Sequence, residues 1–190
     1  MPPPPVPERP TVRVLTAADA PAYREVRLAG LRSDPLAFIT TAGEYETRPL
    51  VEIAARLDPA PGAVTFGAFL GGSLVGVLTV LRETRLALAH RASVVGVSVL
   101  PGARGRGAGT ALVAAGVAQA RAWPGVTSLH LGVTETQEAA RRLYGRHGFR
   151  VWGTEPDALR QGGRTYAQHH LWLDLGAEGE TQTHTLTPGA

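Results

Sequence analysis

Val97-Ser98-Val99-Leu100-Pro101-Gly102-Ala103-Arg104-Gly105-Arg106-Gly107-Ala108-Gly109-Thr110 is the stretch on which the fold turns. Its β-branched start is strand-like, and Leu100-Pro101 stops that strand because proline cannot donate to a ladder. A Gly/Arg turn follows, and Ala111, Leu112, Val113, Ala114 and Ala115 continue as a helix. A strand, a glycine turn and a helix in this order make an anion site. The first N–H groups of a helix have no partner within it, and its dipole adds partial positive charge there. Glycines let backbone come close to a phosphate, and Arg104 and Arg106 add charge-assisted donors.

Two well-known phosphate motifs do not fit. A Walker loop ends in Gly-Lys-Ser/Thr, and the chain has no Lys. A dinucleotide fingerprint beginning at Gly105 and Gly107 needs Gly or Ala where Thr110 stands. It also needs an acid closing the next strand, which ends in Thr134-Glu135.

Working outward, residues 11–15 read as a strand. Thr16 caps a helix that carries Ala20, Tyr23, Val26, Leu28 and Leu31 to about residue 32, before Asp34-Pro35. Residues 36–48 read as a loop holding Glu44, Tyr45 and Glu46, and 49–57 as a helix. Residues 64–70 and 74–81 flank Gly71-Gly72-Ser73, a hairpin signal. Strand 92–99 and helix 107–122 enclose the turn. Strand 127–134, helix 138–147 and strands 149–153 and 164–173 complete a mixed α/β pattern.

Composition narrows the function. With 190 residues, 44% of them hydrophobic and 18% charged, the chain can bury one domain core. Residues 11–175 are the expected folded unit, with a Pro-rich disordered arm at 1–10 and a loose polar tail at 176–190. Absence of Cys excludes disulfides, thiolate metal sites and a Cys nucleophile. The net charge of +3 comes from scattered Arg, without the blocks or aromatic interleaving of a nucleic-acid binder. Residues 62–81 are uncharged and long enough for a membrane span, but Gly71-Gly72 divides them into two short strands. The N-terminus lacks the apolar core of a signal peptide. A soluble, cytoplasmic protein is expected.

The turn also has the form Arg104-x-x-Gly107-x-Gly109 after Val99-x-Pro101, and downstream stands Leu131-Gly132-Val133-Thr134-Glu135-Thr136-Gln137-Glu138-Ala139-Ala140-Arg141-Arg142-Leu143-Tyr144-Gly145-Arg146-His147-Gly148-Phe149. Together these resemble the GNAT acetyltransferase superfamily, in which a strand ending in Val leads to Asn, then A-x-x-L-Y and G-F. Ala140, Leu143, Tyr144, Gly148 and Phe149 match. Residues 153–159, and Ala37-Phe38 followed by Glu44 and Glu46, are similar to a bacterial subgroup of unassigned substrate. The specific motifs cover 97–149.

The resemblance implies a central mixed sheet flanked by helices and N-acetyl transfer from acetyl-CoA to a small-molecule or peptide amine, with no metal, nucleic acid or membrane. Homodimers are common in the family, and no sequence feature decides that point. The turn (Arg104, Gly105, Arg106, Gly107, Ala108, Gly109 and Thr110) would take the pyrophosphate, and the backbone of Val97 and Val99 the pantetheine arm. A backbone N–H near Val99 would hold the oxyanion. Tyr144 falls where the family has its general acid; its other reading is a packed helix Tyr. Gln137 replaces the usual Asn and either supplies the same amide on a longer stem or simply starts a helix.

The base is open. Ser93, Val94, Val95 and Gly96 bring no carboxylate, which leaves His90, Glu44 or Glu46 acting through water, or an amine that arrives deprotonated. Glu44 and Glu46 would attract a cationic amine, or are a solvated acidic loop. A non-catalytic acetyl-CoA-binding regulatory domain on the same fold is the alternative. His169 and His170 are neighbours on a strand and so face opposite sides. His130 and His147 have no partner at ligand spacing, and Trp123, Trp152 and Trp172 read as packing residues.

Overall fold

A computed structural model describes residues 8–176. Most of the Pro-rich arm and nearly all of the polar tail lie outside the described residues. The described end of the arm runs along the sheet, where the Glu8 carboxylate accepts from the Gly71 N–H at 2.7 Å.

Seven strands form one sheet in the order β1-β2-β3-β4-β5-β7-β6. They are β1 (Thr11–Val14), β2 (Ala63–Leu70), β3 (Ser73–Arg82), β4 (Arg91–Val99), β5 (Ser128–Thr134), β6 (Arg150–Gln161) and β7 (Arg164–Asp174). Only β4 and β5 run parallel; every other neighbouring pair is antiparallel. The uncharged run 62–81 is the β2–β3 hairpin. No helix among the described residues is long and apolar enough to cross a membrane.

Five helices cover the sheet: α1 (Ala20–Ser33), α2 (Ala42–Glu46), α3 (Leu50–Leu57), α4 (Ala108–Ala122) and α5 (Glu138–Arg146). Two cores separate them. Val26, Leu28 and Leu31 of α1 and Ile53 and Leu57 of α3 pack with Leu15, Leu74 and Val77. Leu112, Val113 and Ala120 of α4 pack with Leu78, Val80, Leu129 and Leu171. Burial of this kind supplies most of a helix's stability in a protein.

Three expectations are corrected. The 36–48 segment is not wholly loop: Thr41 and Glu44 form a reciprocal capping box that starts α2. The strand expected at 149–153 runs on to Gln161 as an edge strand. There a register shift between Glu155 and Leu159 lets Pro156 and Asp157, with φ 53°, stand out of the ladder. Trp152 is not a packing residue. It is 64% exposed on that edge and tilts against His170, with ring centroids 5.6 Å apart.

Candidate active site

Parallel pairing between β4 and β5 lasts only from Arg91–Ser128 to Ser93–His130. Beyond it the strands diverge. β4 keeps its bonds to β3 and β5 keeps its bonds to β7. Two backbone edges therefore face each other across a gap, and buried backbone groups without ladder partners need other ones. A bulge sharpens the divergence: Gly96 and Val97 both stand opposite Leu78, with Gly96 at φ 65°. Such a bulge bends its strand and raises the local twist.

The gap opens into a cleft of about 870 Å³. Val97 and Val99 line one side, Leu131 to Thr134 the other, and Gln137 and Tyr144 its far wall. At one end lies the glycine turn. Gly107 sits at φ 87° as the N-cap of α4, in the left-handed region that glycine enters without penalty. The first internal bond of α4 runs from the Ala111 N–H to the Gly107 carbonyl at 3.0 Å, so the amides ahead of it have no partner inside the helix. Gly105, Gly107, Gly109 and Thr110 line the cleft here. A Cβ on Gly105 would meet nothing within 4 Å, so the space over the turn is open. A cradle of free amides beside an unpaired strand edge fits a diphosphate followed by an extended amide-bearing arm.

Not every expected residue belongs to this cleft. Arg106 is exposed and Ala108 is buried under the turn, and neither side chain lines it. Arg104 lines it with its guanidinium engaged. Nε donates to the Val99 carbonyl at 3.2 Å, and the terminal nitrogen donates to Ser33 Oγ at 3.3 Å and to the Asp34 carboxylate. Burial pushes Asp34 upward, but the Ser33 hydroxyl and Arg104 together hold its carboxyl below the ordinary range. This bridge ties the end of α1 to the turn, so Arg104 braces the cradle.

Glu44 and Glu46 stand outside the cleft. Glu44 accepts from the Thr41 N–H and hydroxyl at 2.8 Å each, which holds its carboxyl below the ordinary range. Glu46 accepts from Arg32 at 2.9 Å. His90 is at the opposite end of β4, in a separate hollow with His130 and Trp172. None of the three proposed bases faces the cleft. Among the described residues its one lining acid, Asp34, is bound to Arg104.

Tyr144 is buried, packed edge-on against Phe149 with centroids 5.8 Å apart. Burial alone pushes its phenol well above the ordinary value, so it keeps its proton. Gln137 is the N-cap of α5 and makes no side-chain capping bond, which leaves its amide free on the cleft wall.

The acetyltransferase (GNAT) family model matches residues 30–149. The chain belongs to the GNAT acetyltransferase family. Solved structures agree in fold. A putative acetyltransferase from Salmonella typhimurium, solved with its cofactor acetyl-CoA, superposes with a TM-score of 0.76 at 20% identity, covering 92% of this chain and 99% of that one. The ribosomal-protein-alanine N-acetyltransferase of Brucella melitensis gives 0.70 at 23%, covering 87% and 99%. A GNAT acetyltransferase from Streptococcus pneumoniae gives 0.71 at 18%, covering 88% and 100%. No curated protein matches the sequence.

Sequence reasoning on this GNAT chain missed the wall opposite Tyr144. Tyr23 and Arg27 of α1, Phe38, and Tyr45 and Arg48 line it. Arg27 is 8% exposed, an unusual burial for a guanidinium. Its position between Val26 and Leu28, on the apolar face of α1, was the available signal.

Proposed function

We propose that the chain moves the acetyl group of acetyl-CoA directly to a primary amine, both bound in the one cleft. The observation that carries this reading is the divergence of β4 from β5, which runs a free strand edge from the α4 N-terminus to Tyr144. Acetyl-CoA supplies an activated thioester. Amides of residues 105–110 take its diphosphate, and the edge at Val97 and Val99 takes the pantetheine arm, with Gln137 as a further amide partner. A backbone N–H of that edge faces the negative charge that develops on the thioester oxygen. Holding the two reactants together contributes on the order of 7 kcal/mol or more.

Tyr144 gives its proton to sulfur as the carbon–sulfur bond breaks. The same burial that raises the phenol raises the proton affinity of a thiolate beside it. The amine nitrogen bonds to the acetyl carbon and loses a proton to water, and solvent restores the phenol. One amine and one thioester become one amide and one thiol. No imidazole or free carboxylate faces the cleft among the described residues, so the amine enters neutral. A Cys-free chain using acetyl-CoA fits the cytoplasm.

That missing base also favours a second reading, a regulatory domain that binds acetyl-CoA without turnover. Calorimetry with acetyl-CoA tests the shared part, and thiol release over a panel of amines separates the two. Binding without release of CoA from any amine selects the regulator. No heat with acetyl-CoA at low ionic strength removes both.

A further inference from the structure

The acceptor end of the cleft carries charge of the wrong sign for a cationic amine. Arg27 Nη1 donates to the Gly96 carbonyl at 3.2 Å, and its guanidinium lies over the Phe38 ring at 4.5 Å and 5.9 Å from the Tyr45 ring. Among the described residues no carboxylate pairs with it. Arg48 stands over the other side of this corner, 5.2 Å from the Tyr45 ring, and its side chain has no hydrogen-bond or ion-pair partner among them. The hydroxyl of Tyr45, whose ring both guanidiniums approach, is fully enclosed and without a partner. A buried guanidinium without an anion and a buried hydroxyl without an acceptor are both costly, and such groups call for an explanation.

One ligand satisfies both guanidiniums. Gly96 precedes Val97 on β4, away from the glycine turn, so this corner lies beyond the reacting centre and not at the coenzyme phosphates. We infer that the amine acceptor is a small molecule carrying an oxyanion, a carboxylate or phosphonate, which Arg27 and Arg48 receive across the cleft from Tyr144. This rests on the transferase reading for the acceptor's role, and on the residues alone for the anion site. Guanidinium forks match planar oxyanions in two parallel bonds. Phe38, Tyr23 and Tyr45 exclude water around them and strengthen those bonds.

The test is thiol release with the common amino acids, each offered as free acid, carboxamide and aminophosphonate. Calorimetry of the N-acetylated acids and carboxamides in the presence of CoA runs alongside. Free acids or phosphonates should exceed the matching carboxamides in kcat/KM by about tenfold to hundredfold, the usual worth of a charge-assisted bond. Their relative rank tells which oxyanion the corner prefers. Arg48→Gln should remove that preference by raising KM for the acids far more than for the carboxamides. Arg48 is partly exposed and outside the buried core, whereas Arg27→Gln also tests a buried position and is read only beside a melting curve. If no acceptor releases CoA but N-acetyl acids still outbind their carboxamides in an Arg48-dependent way, the anion site stands and the transferase reading falls. Carboxamides used and bound as well as the acids, or Arg48→Gln lowering both alike, overturns the inference.

Discussion

Replacing Tyr144 by Phe separates chemistry from stability. The phenol is 5% exposed, its ring packs edge-on against Phe149, and no protein group bonds its hydroxyl among the described residues. Removing that oxygen breaks no internal hydrogen bond and leaves the ring contact in place. Stability should therefore move by less than about 1 kcal/mol, since the hydroxyl is not among the enclosed polar atoms and has no internal hydrogen bond to lose. Turnover should fall about 100- to 10,000-fold, the range for loss of a positioned acid, or roughly 3–5 kcal/mol of barrier. Acetyl-CoA affinity, set at the α4 end, should hold. The assay is kcat by thiol release, with a viscosity or single-turnover control that chemistry limits the rate. Turnover within about threefold of the parent under that control would remove Tyr144 from the acid role.

Because no imidazole or free carboxylate faces the cleft among the described residues, kcat/KM should rise with pH along the acceptor's own amine titration; acceptors of different amine pKa should displace the profile accordingly, and one profile common to all would point to an enzyme base. Gly107→Ala forces a side chain into φ 87° at the cradle and should cost about 1–2 kcal/mol while raising the acetyl-CoA KM, read by melting and kinetics. Gly30→Ala puts a Cβ 1.9 Å from Ser98 Oγ and 3.2 Å from Ser98 Cβ; denaturation should show a loss of about 1–3 kcal/mol, partly restored by adding Ser98→Ala. The Arg13 guanidinium, then the Thr16 N–H, hold the Asp19 carboxyl down at about 2 against the opposing effect of burial. A carboxyl lowered in the fold stabilises above its unfolded pKa of about 3.8 and loses that contribution as pH falls toward 2. Asp19→Asn should thus cost about 1 kcal/mol at neutral pH, the upper range for a pair that solvent reaches, and the difference from the parent should vanish through that acid window.

The strands were legible because their signals are local. Gly71-Gly72 between two apolar runs specifies a hairpin, and Leu100-Pro101 ends β4 whatever surrounds it. The glycine turn that opens α4 was legible for the same reason: Leu100-Pro101 ends the strand, and glycine is needed at Gly107, where φ is 87°. What was not legible is where β4 and β5 part. Three residue pairs are matched and then the ladder ends, and nothing in either strand's alternation marks that point. The bridge from the end of α1 to the glycine turn joins Asp34 to Arg104, 70 positions apart, and sequence spacing cannot announce such a contact.

Charge is where local reading failed, and the failure has a physical cause. An acidic residue can be consumed by the backbone beside it. Glu44 closes a capping box with Thr41 three residues back, and Glu46 meets Arg32 on the neighbouring helix, so neither projects a field into the cleft. Arg27 lies on the core face of α1, where a pattern of apolar positions leads one to expect a leucine. Its register carries it under Phe38 and against the bulge carbonyl of Gly96, and both of those positions are fixed by tertiary packing. A cation placed about 5 Å from either Arg27 or Arg48 would be repelled by roughly 3 kcal/mol at an effective dielectric of about 20, and an anion attracted by as much. The acceptor's charge is therefore decided by which ionised groups local structure leaves without a counter-ion, and at the corner beside Gly96 those groups, among the described residues, are Arg27 and Arg48.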